Sequence, residues 1–190
     1  MSNTSIMIVG VGGQGTLLAS RILGNTLIGA GYDVKVSEVH GMSQRGGSVT
    51  TYVRFGEKVW SPIIEKGGAD IILSFELLEA LRALPYLKPD GQIIVNTQQI
   101  DPMPVITGAA EYPQGIVETL KAQAKVTAVD ALALAKEAGS IKAVNVVLIG
   151  LLAKNTLIPR AQWEETLRAT VPPKFLEINL KAFALGYEQE

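Results

Sequence analysis

Two glycine-bearing stretches hold the residues whose types and spacing could do chemistry. The first is GVGGQGT, in which Gly10, Gly12 and Gly15 are spaced G-x-G-x-x-G between a branched apolar run and a helical pattern. Glycine lets a backbone turn tightly and lets a phosphate come close. The helix that follows offers free N–H groups and a positive dipole end. Gly13 and Gln14 complete the loop, and Thr16 at the helix start could add a hydroxyl donor. The same glycines would also serve simple close packing of helix on sheet, and the motif alone leaves both readings open. A dinucleotide site would further want an acidic residue at the end of the second strand, where Glu38 stands.

The second stretch is EVHGMSQRGGS, residues 38–48. It holds the chain's one histidine, His40, with Ser43, Gln44, Arg45, Gly46 and Gly47. Arg45 beside two glycines sets a planar fork of donors next to open backbone, which suits a phosphate or a carboxylate. The plainer alternative is a solvated turn with a surface ion pair. His40 alone reads more readily as a hydrogen-bonded structural residue than as a base. No Ser–His–Asp, Tyr–Lys or His–carboxylate metal set can be assembled, so the chain reads as the binding half of a machine, with no catalytic residue of its own.

The elements that must position these loops follow from pattern. SIMIV (5–9) reads as a buried strand, and TLLASRILGNTLIGAG as a helix with a broad apolar face that Gly29 and Gly31 end. DVKVSEV (33–39) reads as a second strand returning parallel beside the first. SVTTYVRFGEKVWSP alternates and carries a turn-like Phe55–Lys58, so it predicts a β-hairpin where a plain dinucleotide fold has its second helix. Strands follow at Ala69–Phe75, Gln92–Asn96 and Lys125–Asp130, with KPDG read as a turn and residues 97–115 as loop. Helices follow at FELLEALRALPYL, Ile116–Ala124 and ALALAKEAG, after Pro159, and in the tail from Phe175. Ala143–Thr156 is almost wholly apolar but too short to span a membrane, and we assign it to the core, with subunit contact as the alternative. Trp60 is a candidate interface anchor. The expected fold is α/β: one Rossmann-like domain over residues 1–190, with a mostly parallel sheet, helices on both faces and an inserted β-hairpin after the second strand.

Bulk composition narrows the classes. Of 190 residues, 47% are hydrophobic, enough for a packed core, and the net charge of −1 gives no basic field for nucleic acid. With no cysteine, the chain cannot itself hold a disulfide, a thiolate zinc site or a cysteine-ligated iron–sulfur cluster. The first strand starts too early for a signal peptide, and no apolar run is long enough for a membrane span. These features together predict a cytoplasmic protein with no nucleic-acid or membrane partner.

GVGGQGTLLASRILG, SEVHGMSQRGGSV and GADIILSFELLEALRALPYLKPDGQIIVN together resemble the gamma-type domain of the 2-oxoacid:ferredoxin oxidoreductases. Within that family the resemblance is strongest to the small (beta) subunits of the indolepyruvate enzymes. It runs from Ile6 to Gly186, taking in NVVLIGLL and KFLEINLKAFALG. The pairing of GxGGQG with HGMSQRGG and a hairpin after it is far more specific than either glycine motif. The resemblance implies oxidative decarboxylation of a 2-oxoacid, here an aryl pyruvate, to the acyl-coenzyme A, with electrons passed to ferredoxin. It implies a hetero-oligomer whose large (alpha) subunit carries thiamine diphosphate, Mg and 4Fe–4S clusters, while this chain binds no cofactor and is inactive alone. On that view the loops Gly10–Thr16 and His40–Ser48 face the partner and coenzyme A or substrate. Two alternatives stay open: a stand-alone NAD(P)-binding oxidoreductase, and the gamma subunit of a pyruvate or 2-oxoglutarate enzyme.

Overall fold

A computed structural model describes residues 3–39 and 46–189. His40, Ser43, Gln44 and Arg45 therefore lie outside the described residues. The elements are β1 (Thr4–Val11), α1 (Thr16–Gly29), β2 (Asp33–Val39), β3 (Ser48–Gly56), β4 (Ala69–Ser74), α2 (Leu77–Ala83), β5 (Leu87–Asn96) and α3 (Met103–Ile106). They continue with α4 (Ile116–Lys121), β6 (Lys125–Val129), α5 (Ala131–Ala138), α6 (Val144–Lys154), α7 (Arg160–Thr170) and α8 (Leu176–Tyr187). The six strands form one sheet in the order β2-β3-β1-β4-β5-β6. Strands β1, β4, β5 and β6 are mutually parallel, as the α/β reading predicts.

Each central strand is apolar on both sides, because helices cover both faces. Alternate residues of β1 go to opposite cores. Ile6 and Ile8 pack with α1, α6 and α8, whereas Met7 and Val9 pack with α2 and Ile116 of α4. Helix α6 is enclosed on every side, with Val146, Val147, Leu148 and Ile149 fully buried. The apolar stretch expected in the core therefore sits there.

Two expectations about the sheet are corrected. Strand β2 is not the neighbour of β1: β3 lies between them, antiparallel to both. The hairpin is also placed differently. Its arms are β2 and β3, while the chain after Gly56 forms no strand until Ala69. Alternation in β3 showed a strand but not its partner, since pairing is decided by contacts distant in sequence. The KPDG segment is an excursion within β5, absorbed by a register shift opposite Ala69 and Ile71. Residues 97–115 contain the short helix α3. No helix among the described residues is long and apolar enough to cross a membrane.

Candidate functional site

The C-terminal ends of β1, β4 and β5 lie at one edge of the sheet, and α1 and α2 leave those strands toward opposite faces. This is a topological switch point, the usual ligand crevice of open α/β sheets. Here the side between β1 and β4 is filled. Gln14 folds its carboxamide into it: Val11 N–H donates to Oε1 at 2.8 Å, and Nε2 donates to the Phe75 carbonyl at 2.9 Å and to Gln98 Oε1 at 3.3 Å. Gly10 permits this, because a Cβ there would stand 2.9 Å from both Gln14 Oε1 and Phe75 Cβ. Gln14 thus acts as a strut that ties the loop to Phe75 and Gln98.

Behind Gln14 lies a buried polar network that sequence reasoning missed. Glu76, 1% exposed, caps α2 by accepting from the Glu79 N–H at 2.9 Å. It also accepts from the Ile100 N–H at 3.1 Å and from the Tyr112 hydroxyl. Burial, then the adjoining Glu76 carboxylate, pushes the Tyr112 phenol well above its ordinary value of 10.0. Asn96, wholly buried, donates to the Phe75 carbonyl at 3.1 Å and accepts from the Ala131 N–H at 3.1 Å. Glu79 accepts from Ser48 and, at 2.6 Å, from Arg82, so the first turn of α2 also holds the start of β3. One signal was available: Glu76 and Glu79 flank the start of an apolar helical run, the pattern of a helix cap.

The two glycine stretches do meet. Gly12 N–H donates to the Gly47 carbonyl at 2.8 Å, and Gly46 N–H donates to the Gly12 carbonyl at 3.2 Å, extending the β1–β3 ladder into the loops. Gly15, at φ +85°, takes the N-cap of α1 and accepts from Asn145 Nδ2 at 3.3 Å. No side chain caps that helix. Gly13, at φ +102°, stands free, with nothing within 4 Å of where a Cβ would be. Beside it a cleft of about 280 Å³ opens between the first turn of α1 and the start of β3, lined by Gly12, Gly13, Gly15, Thr16, Thr50 and Thr51 among others.

Glu38 accepts from Ser20 Oγ at 3.0 Å and sits at the sheet edge. Because β3 intervenes, its strand is about 10 Å from β1, too far for the acidic position of a dinucleotide fold. Trp60 is 85% exposed, with the Lys58 ammonium 5.1 Å from its ring centre. It follows the end of β3, beside the start of β1, so it lies at the opposite edge from the glycine loops. Among the described residues no three His, Asp or Glu side chains converge on a point that could hold a metal ion.

Residues 5–189 match the family model described as pyruvate ferredoxin/flavodoxin oxidoreductase. The chain belongs to that family. It is 48% identical to the indolepyruvate oxidoreductase subunit IorB of Thermococcus kodakarensis, over 98% of this chain and 95% of that protein. A more distant relative, the common gamma subunit of the pyruvate/ketoisovalerate oxidoreductases of Pyrococcus abyssi, is 30% identical over 95% of this chain and 93% of its own length. The fold matches the keto/oxoacid ferredoxin oxidoreductase gamma subunit from Geobacter sulfurreducens, with a TM-score of 0.73 at 24% identity, over 97% of this chain and 96% of that one. The resemblance read from GxGGQG and HGMSQRGG thus holds across nearly the whole chain.

Proposed function

We infer that this oxidoreductase-family chain is the small subunit of an aryl-pyruvate, indolepyruvate-type 2-oxoacid:ferredoxin oxidoreductase. It works with a large subunit that carries thiamine diphosphate and the iron–sulfur clusters. The observation that carries the reading is near-end-to-end identity of 48% to an indolepyruvate oxidoreductase subunit. The pyruvate/ketoisovalerate gamma subunit lies much further off, at 30%, which favours an aryl-pyruvate substrate over pyruvate. The chain's own part is to present the joined glycine loops, Gly10–Thr16 and His40–Ser48, toward the catalytic subunit and the anionic part of coenzyme A. The filled β1–β4 crevice and the displaced Glu38 weigh against a stand-alone NAD(P) enzyme.

The test is anaerobic dye reduction driven by indolepyruvate with coenzyme A present. It compares this chain, its large partner, and the two co-expressed. Activity is expected only in the pair. An inactive pair, with tight NADH binding by this chain alone, would reverse the assignment. In an active pair, Arg45→Ala should raise the KM for coenzyme A or weaken assembly. If it changes neither, the second loop has no part in binding.

A further inference from the structure

We propose that the sheet edge opposite the glycine loops is a contact between two copies of this chain. Trp60 of each copy enters an apolar pocket of the other, and Lys58 of each meets Glu57 of the other. The inference goes beyond the assigned reaction and does not depend on it. Three features of this one edge carry it.

The first is a fixed, exposed anchor. Trp60 is 85% exposed, yet the backbone on either side of it is tied down. Val59 before it is buried, and its N–H donates to Asp33 Oδ2 at 2.8 Å. The Ser61 carbonyl after it accepts from Arg54 Nη1 at 3.0 Å, and the Ile63 carbonyl accepts from the same nitrogen at 3.2 Å. Ile64 then returns to the core. A large aromatic side chain held in water on an ordered backbone loses little freedom on binding, as an interface anchor should. Single exposed apolar residues are ordinary, but Ile63 and Leu157 are exposed here as well, Leu157 at 99%.

The second is a matching hole. A pocket of about 260 Å³ opens beside Gly56, lined by Ile6, Tyr32, Phe55, Ile71 and Ile158, with Leu157 at its rim. Tyr32 and Phe55 meet edge to face with ring centres 5.2 Å apart, and such walls suit an aromatic guest. The volume lies below the roughly 300–1,000 Å³ of drug-sized sites, so it takes one side chain rather than a cofactor. An indole N–H that becomes buried also needs an acceptor. Asn155 lines the pocket and donates through Nδ2 to the Leu151 carbonyl at 2.8 Å, which leaves its Oδ1 for that bond.

The third is charge. Glu57 lines the pocket, and Lys58 rides on Trp60 with its ammonium 5.1 Å from the ring centre. Both are exposed, and among the described residues neither forms an ion pair. When Trp60 enters the pocket of a second copy, it carries Lys58 to that copy's Glu57. A two-fold axis makes the exchange reciprocal, so one geometry uses both anchors, both pockets and both charge pairs. The glycine loops lie at the other end of the strands, so an assembly through them leaves this edge free.

The test is sedimentation of the full chain over a range of concentrations, with tryptophan emission read in parallel. Dimer should build up with concentration, and the emission should move to the blue. Trp163 is wholly buried in either state, so Trp60 is the reporter. Trp60→Ala should raise the dimer dissociation constant about thirtyfold, the loss of one hot-spot aromatic, while the monomer's unfolding midpoint stays unchanged. Glu57→Lys and Lys58→Glu should each be monomeric alone, because like charges then meet. Mixed in equal amounts they should associate, because each supplies the charge the other lacks. Monomers at every soluble concentration, or dimers indifferent to Trp60→Ala and to the charge reversals, overturn the proposal. So does a free chain that stays monomeric while Trp60→Ala weakens capture of the large subunit, which would give this edge to that partner.

Discussion

The two flanks of β1 at its C-terminal end were built from the same loop, yet they differ completely. Toward β4 three polar side chains are turned inward and bonded: Gln14 to Val11 and Phe75, Asn96 to Phe75 and Ala131, Glu76 to three donors. Toward β3 the helix end is uncapped, and Thr16 and Thr51 border an open cleft. A fully satisfied buried network rigidifies its surroundings. The closed flank is thus the rigid frame of the loop, and the β3 flank stays open.

The comparison is broken most severely by opening the frame. Glu76→Ala would strand the Tyr112 hydroxyl and the Ile100 and Glu79 N–H groups in a site that is 1% exposed. Each orphaned donor carries its own desolvation cost, so a loss of about 3 kcal/mol or more is expected. Urea unfolding of the variant should show a lower midpoint at unchanged slope. A loss below about 1 kcal/mol would mean that water reaches the network and the flank is not closed.

Part of this was readable from sequence and part was not. The order of strands and helices around Gly10–Thr16 came from local periodicity, which a single segment carries. Where β3 would lie was not readable, because Val49, Thr51 and Val53 alternate in the same way whether β3 pairs with β1 or with a strand beyond Gly56. Gln14 has the same limit. It stands in the motif like a ligand-facing residue, and its partners Phe75 and Gln98 lie 61 and 84 residues away. Glu76 was within reach, as a polar residue ahead of an apolar helix with a second glutamate three residues on.

Two glycines of the one motif sharpen the contrast at smaller cost. A Cβ on Gly10 would press on Phe75 Cβ and Gln14 Oε1 at 2.9 Å, so Gly10→Ala must move the strut and should cost about 1–3 kcal/mol. A Cβ on Gly13 meets nothing within 4 Å, leaving only the strain of its φ of +102°. Gly13→Ala should therefore cost about 1 kcal/mol. Thermal unfolding of the two variants side by side gives the order. Equal losses would show that both flanks are packed alike.

The effect most diagnostic of the closed flank is that of Tyr112. Its hydroxyl donates to Glu76 and accepts from the Leu78 N–H at 3.0 Å, so Tyr112→Phe should cost about 1–2 kcal/mol near pH 7. The pH dependence separates this bond from simple packing. Burial beside a carboxylate raises the phenol above its ordinary value of 10.0 in the folded chain only. Below that value both states hold the proton and the contribution is whole. Above it the unfolded chain releases the proton while the folded chain retains it, so stability falls as pH climbs toward the folded value. The parent should thus lose stability above pH 10 more steeply than Tyr112→Phe, and the gap between their unfolding midpoints should narrow. Parallel curves in that range would mean that the phenol ionises as freely in the folded chain as in the unfolded one. The flank between β1 and β4 would then be open to solvent like its counterpart.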